Sequence, residues 1–307
     1  MATPVTVTVP GTTANLGPGF DCLGAALTIY NRFTFTDLDQ PAGTVAITVQ
    51  GQEAARVSTD ASNLAYQAFA DYFQRRGLAI PAVALEIDLD VPLARGLGSS
   101  STAIVGGLLG ANALVDHPVD QATLAAMAIA LEGHPDNVVP ALVGGCQLAA
   151  TGEAGRAILC PVPWHPDVTP VVVIPEFELS TAEARRVLPA TYSRADAIFN
   201  TAHLGLLLRG LETGNADWLR GALQDRIHQP YRQALIPGYA EVSHVARFAG
   251  AYGLVISGAG PTLLALAPAA QAAPVAEAMA SAWQTLGQTV TAKVLSLETE
   301  GAKVTQG

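Results

Sequence analysis

Lysine is almost absent from this sequence, in which only Lys293 and Lys303 stand among the 16 basic residues. A Walker A loop needs a Gly-Lys-Ser/Thr triplet before its helix, and no lysine precedes position 293. The protein-kinase pattern, which needs a lysine on an early strand, is excluded for the same reason. An anionic ligand must therefore be held by backbone amides, by arginines or by a metal ion.

Clustered positive charge and paired cysteines are also missing. The net charge is −10 and no run of basic residues exceeds an adjacent pair, which argues against partners such as nucleic acid or an anionic membrane. Cys22, Cys146 and Cys160 fit neither a disulfide framework nor a zinc spacing, so free thiols and a cytoplasmic location are predicted. The first basic residue is Arg32, which argues against a secretory signal. Residues 96–115 are uncharged but open with glycine and hydroxyl residues, which favours a buried helix over a membrane span.

A glycine- and hydroxyl-rich turn joins the alternating strand pattern of residues 83–91 to a long helical pattern. Unpaired N–H groups at a helix N-terminus attract anions, and Gly96 and Gly98 would let the backbone approach a phosphate. The alternative is an ordinary capped turn, and the dinucleotide fingerprint fails because Ser101 replaces its third glycine. The candidate nucleotide-binding residues are Pro92, Leu93, Ala94, Arg95, Gly96, Leu97, Gly98, Ser99, Ser100, Ser101 and Thr102.

Two further stretches concentrate polar residues. Residues 10–21 are rich in Gly, Pro, Asn and Thr, which predicts a shaped loop after a first strand at 4–9. The second stretch contains Glu132, His134, Asp136 and Asn137. Such a cluster is typical of a site in a chain with only 14% charged residues. The alternative is a helix end followed by the cap of the next helix.

The sequence patterns in the second half of the chain predict a separate layer of strands and helices. Four prolines between residues 161 and 170 mark a candidate domain boundary. After them the patterns follow the order β-α-α-β-β-α-β, which suggests a split, ferredoxin-like layer. A second glycine turn, at residues 257–262, joins two of its strands. The predicted fold class is α+β, with domains at 1–165 and 166–307.

Three separated stretches, at residues 12–21, 92–103 and 253–262, resemble motifs of the GHMP small-molecule kinases. The first, Thr-Thr-Ala-Asn-Leu-Gly-Pro-Gly-Phe-Asp, is similar to the N-terminal loop of the homoserine kinases within that superfamily. The third resembles the glycine motif that packs beside the phosphate loop. The resemblance extends over nearly the whole chain and implies a two-domain GHMP kinase fold. Its N-terminal, ribosomal-S5-like domain would bind the nucleotide, and its ferredoxin-like C-terminal domain would close over the substrate.

The resemblance implies phosphorylation of the side-chain hydroxyl of L-homoserine with ATP and Mg²⁺, a step towards threonine. The implied metal ligands are Ser100, or its neighbour Ser99, and Glu132. The implied catalytic residues are Ser100, Glu132, Asp136 and Arg185. The implied substrate-binding residues are Asn15, Asp21, His134, Asp136, Asn137, Arg185, Arg232 and Gly258. The two arginines would bind the α-carboxylate, and Asp21 would bind the ammonium group. The resemblance is also compatible with a homodimer.

Two other functions stay open from the sequence. A GHMP kinase for another small alcohol, such as mevalonate or a sugar, would tolerate neutral substrates and would not depend on Arg185 or Arg232. A non-catalytic amino-acid sensor would have no need to keep Ser100, Glu132 and the glycine turns. The other histidines have no spacing that indicates a site, and they are expected to be structural or exposed: His117, His165, His203, His228 and His244.

Overall fold

A computed structural model describes residues 4–307 of the chain. The strands are β1 (Val5–Ala14), β2 (Leu23–Asp37), β3 (Val45–Gln50), β4 (Val83–Asp88), β5 (Cys146–Thr151), β6 (Ala157–Val162), β7 (Val168–Pro175), β8 (Gly253–Ile256), β9 (Leu263–Pro268), β10 (Val290–Val294) and β11 (Lys303–Gln306). The helices are α1 (Leu64–Arg75), α2 (Ser99–Ala113), α3 (Gln121–Glu132), α4 (Pro135–Val143), α5 (Thr181–Arg186), α6 (Arg194–Thr213), α7 (Ala216–Ala222), α8 (Gln229–Arg232), α9 (Tyr239–Phe248) and α10 (Ala272–Thr285). Over these residues, none of the helices combines the length and the apolar character needed to cross a membrane.

The first sheet has the strand order β11-β1-β2-β4-β3, and β5 and β6 extend it from the end of β2. Its pairings are antiparallel apart from the parallel pair β3 and β4. Helices α1 to α4 cover one face around the buried rings of Phe33, Phe35 and Phe69. Gly106 and Gly110 let α2 lie against these rings, because an added Cβ would be 2.4 Å from Phe33 and 2.2 Å from Phe35. The charge-free helix predicted from the sequence is therefore a core helix.

The second sheet has the antiparallel order β10-β7-β9-β8. Numbered along the chain these strands run 4-1-3-2, the ferredoxin-like arrangement that the order of elements predicts. The central strand β7 is apolar at consecutive positions because both of its faces are covered. Val172 packs towards the first sheet, whereas Val171 and Val173 pack under α9 and α10 with Trp283.

A buried cluster joins the two sheets. Leu27 of the first sheet and Val255 and Leu264 of the second belong to it, and all three are 0% exposed. Leu97 of the glycine-rich turn and Leu16 of the N-terminal loop insert into the same cluster. Both loops are therefore anchored where the sheets meet, and burial of each leucine contributes roughly 1.5–3 kcal/mol to that anchoring.

The loop predicted for residues 10–21 is wrong at its start, because β1 continues to Ala14. A register shift between Pro10 and Thr12 lets the strand resume its pairing, with Thr12 opposite Ala26 of β2. After the shift, the backbone N–H of Thr12 donates to the carbonyl oxygen of Leu97 at 3.0 Å. The end of β1 thus supports the glycine-rich turn directly.

The end of the chain returns to the first sheet, which the sequence patterns do not predict. In β11, Val304 lies opposite Val7 of β1, and the segment before it forms a bridge between Leu297 and Leu27. The second sheet accordingly ends at Val294. The division into 1–165 and 166–307 stays a prediction. The three cysteines are free thiols, as predicted.

Candidate active site

The glycine-rich turn between β4 and α2 has left-handed backbone at Ala94, Gly96 and Gly98, with φ of 53°, 78° and 68°. Gly98 is the N-cap of α2 and has no side chain to occupy the first N–H groups of this 15-residue helix. Those groups and the positive end of the helix dipole attract an anion. Gly98, Ser99 and Ser100 line a cavity of about 550 Å³, so the predicted phosphate site opens into this cavity.

Glycine is required in this turn because the end of β1 and another loop pack against it. A Cβ on Gly96 would lie 2.2 Å from the carbonyl oxygen of Ser257, and one on Gly98 would lie 2.0 Å from Oγ1 of Thr12. The hydroxyl of Ser257 also donates to the carbonyl oxygen of Gly96 at 2.6 Å. The second glycine turn of the sequence therefore lies beside the first, as the resemblance implies.

Arg95, Leu97 and Thr102 of this segment contact other protein groups. Arg95 is 8% exposed, and it donates from Nε to the carbonyl oxygen of Pro175 at 3.0 Å and from Nη2 to that of Glu176 at 2.6 Å. Leu97 belongs to the shared core, and Thr102 donates to the carbonyl oxygen of Ser99. Main-chain N–H groups and the hydroxyls of the first helical turn are thus the groups best placed for a phosphate.

Glu132, the last residue of α3, meets the first turn of α2. Its Oε1 accepts from the hydroxyls of Ser100 at 3.0 Å and Ser101 at 3.2 Å. Hydroxyl and carboxylate oxygens are hard ligands of the kind that Mg²⁺ prefers when it is also held by phosphates and water. Among residues 4–307, no group of three or more His, Cys, Asp or Glu could hold a metal by itself. The oxygens of Ser100, Ser101 and Glu132 are of the kind that fits Mg²⁺.

The loop after β1 places a carboxylate in another part of the cavity. Asn15 and Asp21 have φ of 72° and 57°, a conformation that Asn and Asp tolerate better than most residues. Asn15 fixes the loop, because its Oδ1 accepts from the backbone N–H of Asp21 at 3.0 Å. Arg185, from α5, then donates to both carboxylate oxygens of Asp21, at 3.0 and 2.8 Å. The residue predicted to bind the ammonium group of the substrate thus contacts one that is predicted to bind its carboxylate.

Arg232 lines the same end of the cavity from α8, although its side chain is only 2% exposed. Its Nη1 donates to the carbonyl oxygen of Gly258 at 3.0 Å, and the same oxygen accepts from Nδ2 of Asn15 at 2.8 Å. Burial, followed by the nearby charge of Arg185, lowers the pKa of Arg232 below its usual value. Two guanidinium groups therefore converge here, and an anion would relieve their mutual repulsion.

The first turn of α4 also lines the cavity. His134 is its N-cap, and Nδ1 of His134 lies 2.7 Å from Oδ1 of the buried Asp136. This hydrogen bond raises the pKa of His134, against the effect of burial. Asn137 accepts from the hydroxyl of Thr12 at 2.7 Å. The backbone of this turn packs closely against β2, since a Cβ on Gly24 of β2 would lie 1.7 Å from the carbonyl oxygen of Asp136.

Another part of the cavity is lined by residues that the sequence analysis did not single out. The apolar and polar side chains there include Phe33, Val57, Ser62, Asn63, Leu64, Ile87 and Leu89. Asn63 is the N-cap of α1, and its Oδ1 accepts from the backbone N–H of Ala65 at 3.0 Å. An asparagine before a helical pattern indicates a cap, but only the fold shows that this cap lines a ligand site.

Comparison with known proteins gives the family. Residues 63–145 match the family described as GHMP kinases N terminal domain, and residues 207–285 match GHMP kinases C terminal. The chain is 65% identical to homoserine kinase of Trichormus variabilis over 298 residues, which cover 97% of this chain and 98% of that protein. It is also 65% identical to homoserine kinase of Microchaete diplosiphon, over 97% and 96% of the two chains.

Solved structures agree with the sequence relatives. The crystal structure of homoserine kinase from Cytophaga hutchinsonii superposes with a TM-score of 0.90 at 28% identity, covering 99% of this chain and 98% of that one. A mevalonate kinase at 11% identity and a TM-score of 0.70 shares the fold. The chain thus matches both domain models of the superfamily and is 65% identical to a homoserine kinase over nearly its full length. It therefore belongs to the GHMP kinases and, within them, to the homoserine kinase family.

Proposed function

We propose that this protein transfers the γ-phosphoryl group of ATP to the side-chain hydroxyl of L-homoserine and forms O-phospho-L-homoserine, on the way to threonine. The observation that carries the proposal is a cavity with two chemically different parts. The helix N-terminus at Gly98 lines one part, and another part, the charged end, brings the Asp21 carboxylate together with the guanidinium groups of Arg185 and Arg232. A zwitterionic amino acid is complementary to such a set of charges, whereas a sugar is not.

Substrate binding would proceed by an exchange of partners at the charged end. The α-carboxylate of homoserine takes the guanidinium groups of Arg185 and Arg232, and its ammonium group takes Asp21. Arg185 presents both of its terminal nitrogens towards Asp21 at 3.0 and 2.8 Å, a geometry that a carboxylate ligand can also use. Because Asn15 holds the Asp21 backbone, the exchange needs side-chain movement only.

The nucleotide would lie along the rest of the cavity. Its phosphates meet the N–H groups of α2 and the hydroxyl of Ser99, and its base and ribose occupy the end lined by Asn63 and Leu64. Ser100 and Glu132 would hold Mg²⁺, which when bound neutralises phosphate charge during the transfer. The two side chains already contact each other at 3.0 Å, so little reorganisation is needed.

Transfer forms a bond between the homoserine side-chain oxygen and the γ-phosphorus, breaks the bond to the β,γ-bridging oxygen, and releases ADP and the hydroxyl proton. Asp136 and Asn137 lie between the charged end and the phosphate turn and are assigned as ligands of the hydroxyl. Positioning and charge neutralisation supply most of the catalysis of phosphoryl transfer. Asp136 is therefore a substrate ligand first and a proton acceptor second, with His134 fixing its carboxylate at 2.7 Å.

The test is ADP release in a coupled assay with ATP and Mg²⁺, in which L-homoserine is compared with D-homoserine, L-serine, mevalonate and galactose. Turnover confined to L-homoserine is expected. Preferred turnover of mevalonate or galactose would replace the substrate with another small alcohol. If no compound released ADP but homoserine or threonine bound in calorimetry, the protein would be a sensor instead. A homodimer and a cytoplasmic location stay predictions from the sequence.

A further inference from the structure

Arg232 depends on acceptors from several segments for its orientation. Nε donates to the carbonyl oxygen of Ala184 at 3.1 Å, and Nη1 donates to that of Gly258 at 3.0 Å. In the part of the chain that the structure describes, Nη2 forms no hydrogen bond, which leaves this nitrogen for a ligand in the cavity. The direction of Nη2 follows from how firmly the other two nitrogens are held.

His228 provides another contact to Arg232, from a side chain that is fully buried. Nε2 of His228 lies 2.9 Å from the carbonyl oxygen of Gly17, which can only accept, so Nε2 carries the ring proton. Nδ1 therefore keeps its lone pair and accepts from Nη1 of Arg232 at 3.3 Å. Burial, together with the Arg232 charge, lowers the pKa of His228 to about 4, so the ring is neutral at physiological pH.

Phe20 connects this histidine to both arginines. Its ring stacks on His228 with centroids 5.1 Å apart and an interplanar angle of 20°. The same ring lies 5.1 Å from Cζ of Arg232 and 5.7 Å from Cζ of Arg185, within the range of a cation–π contact. Phe20 precedes Asp21 in the chain, so the loop that carries the ammonium ligand also braces the carboxylate ligands.

The backbone of His228 is fixed in turn by Asp225. One carboxylate oxygen of Asp225 accepts from the N–H groups of His228 at 2.8 Å and Gln229 at 2.7 Å, and the other accepts from Nδ2 of Asn200 at 2.7 Å. Charge-assisted bonds of this kind are stronger than neutral ones. The imidazole is thus presented to Arg232 from a rigid support.

We propose that His228 and Phe20 are positioning residues that hold the guanidinium group of Arg232 in the orientation that binds the α-carboxylate of the amino-acid substrate. The proposal rests on the function proposed above, because it takes Arg232 as a carboxylate ligand. Neither His228 nor Phe20 is among the residues assigned to the phosphates or the reacting hydroxyl. Their replacement should therefore weaken binding of the amino acid and leave the transfer step unchanged.

Two substitutions of His228 separate its two hydrogen bonds. In His228→Gln, the amide nitrogen can replace Nε2 and keep the bond to Gly17, but the acceptor for Arg232 is lost. In His228→Asn, the amide oxygen can replace Nδ1 and keep the bond to Arg232. Losing one hydrogen bond to a charged group predicts a KM for L-homoserine about tenfold higher in the Gln variant, and a rise of no more than about threefold in the Asn variant. The kcat and the KM for ATP should stay within about twofold in both, on the same reasoning.

The matched control is His244→Gln, an exposed histidine of α9, which should not change any of these constants. L-homoserinol, which lacks the carboxylate, should bind the Gln variant and the unmodified protein equally in calorimetry. NMR of ¹⁵N-labelled protein should place the ring proton of His228 on Nε2. Equal KM increases in the Gln and Asn variants, a fall in kcat alone, or a proton on Nδ1 would each overturn the proposal.

Two further experiments test the positioning role if the Gln variant does not fold or if the protein shows no kinase activity. If the Gln variant does not fold, Phe20→Leu replaces it, with an expected two- to fivefold rise in KM from the lost cation–π contacts, roughly the value of one such contact. An unchanged KM in that variant overturns the proposal. If the unmodified protein releases no ADP with homoserine, yet the Gln variant binds homoserine more weakly than the Asn variant, the proposed function fails while the positioning role stands.

Discussion

Replacing Arg185 by lysine separates two contributions of one side chain, its ion pair with Asp21 and its binding of a substrate carboxylate. Arg185 and Asp21 are 38% and 35% exposed, so water screens their attraction. Loss of the bidentate geometry should lower the free energy of unfolding by less than about 1 kcal/mol, the usual value of an exposed pair. The substitution should therefore have little effect on the stability of the fold.

The effect on the substrate should be much larger. A lysine ammonium keeps the positive charge but cannot donate two parallel hydrogen bonds to a carboxylate. One lost bond to a charged group is worth about 1.5–3 kcal/mol, which corresponds to a KM for L-homoserine roughly 10- to 150-fold higher. The kcat should change less, because Arg185 is assigned to the carboxylate and not to the reacting hydroxyl.

Both quantities can be measured on the same preparation, KM by coupled ADP release at saturating ATP and Mg²⁺, and unfolding by urea titration. Arg186→Lys is the matched control, because Arg186 is the next residue of the same helix and is exposed. An unchanged KM with a loss of more than about 2 kcal/mol in unfolding would refute the reasoning. Arg185 would then be a structural residue, and only Arg232 of the two arginines would remain as a candidate ligand of the substrate carboxylate.

Three further predictions concern the phosphate end and the buried histidine. Glu132→Gln keeps an acceptor for Ser100 but removes the charge, so kcat should fall at least about 100-fold with unchanged circular dichroism. Gly96→Ala places a Cβ 2.2 Å from the Ser257 carbonyl oxygen at positive φ, so the KM for ATP should rise at least about tenfold and Tm should fall. Because the folded-state pKa of His228 lies near 4, below its unfolded value, the contribution of His228 to the free energy of unfolding should be nearly constant above pH 6.5 and fall by about 3 kcal/mol as pH drops to 4.

Each of these has a clear contrary result. Full activity of Glu132→Gln would remove that residue from the metal site. Normal ATP affinity in Gly96→Ala would mean that the two glycine turns can separate without cost to the nucleotide. For His228, urea titrations at pH 7 and pH 4.5 should differ less in His228→Gln than in the unmodified protein. An identical difference in the two proteins would assign the pH dependence to other groups.

The local parts of the site could be predicted from the sequence. The phosphate turn needs residues that accept positive φ next to a helix N-terminus, and residues 96–99 carry both signals side by side. The ferredoxin-like order follows from the sequence of strand and helix patterns, since connection rules leave few alternatives. The Ser180-Thr181-Ala182-Glu183 stretch has the pattern of a capping box, and in the structure this capping box opens α5.

The pairing of distant charges could not be predicted. Arg185 and Asp21 are 164 positions apart, and residue types alone do not show that they contact each other. His228 has no informative spacing because its partner Gly17 lies 211 positions away. The continuation of β1 beyond Pro10 depends on a register shift against β2, and local turn residues give no sign of it. Each of these features follows from tertiary contacts that override local preference.

The pairing of β11 with β1 has a consequence for how the protein is made. The first sheet begins at Val5, yet its β11 edge closes only when residues 303–306 arrive, and the backbone N–H of Gly307 then donates to Pro4 at 3.1 Å. At roughly 5–20 residues per second of synthesis, the two partner strands are separated by roughly 15 to 60 s on the ribosome. During that interval the outer edge of β1 presents unpaired backbone groups, a surface that invites pairing with other chains. The helices over the first sheet and the entire second sheet can form in that time, so the strand synthesised first acquires its last neighbour at the end.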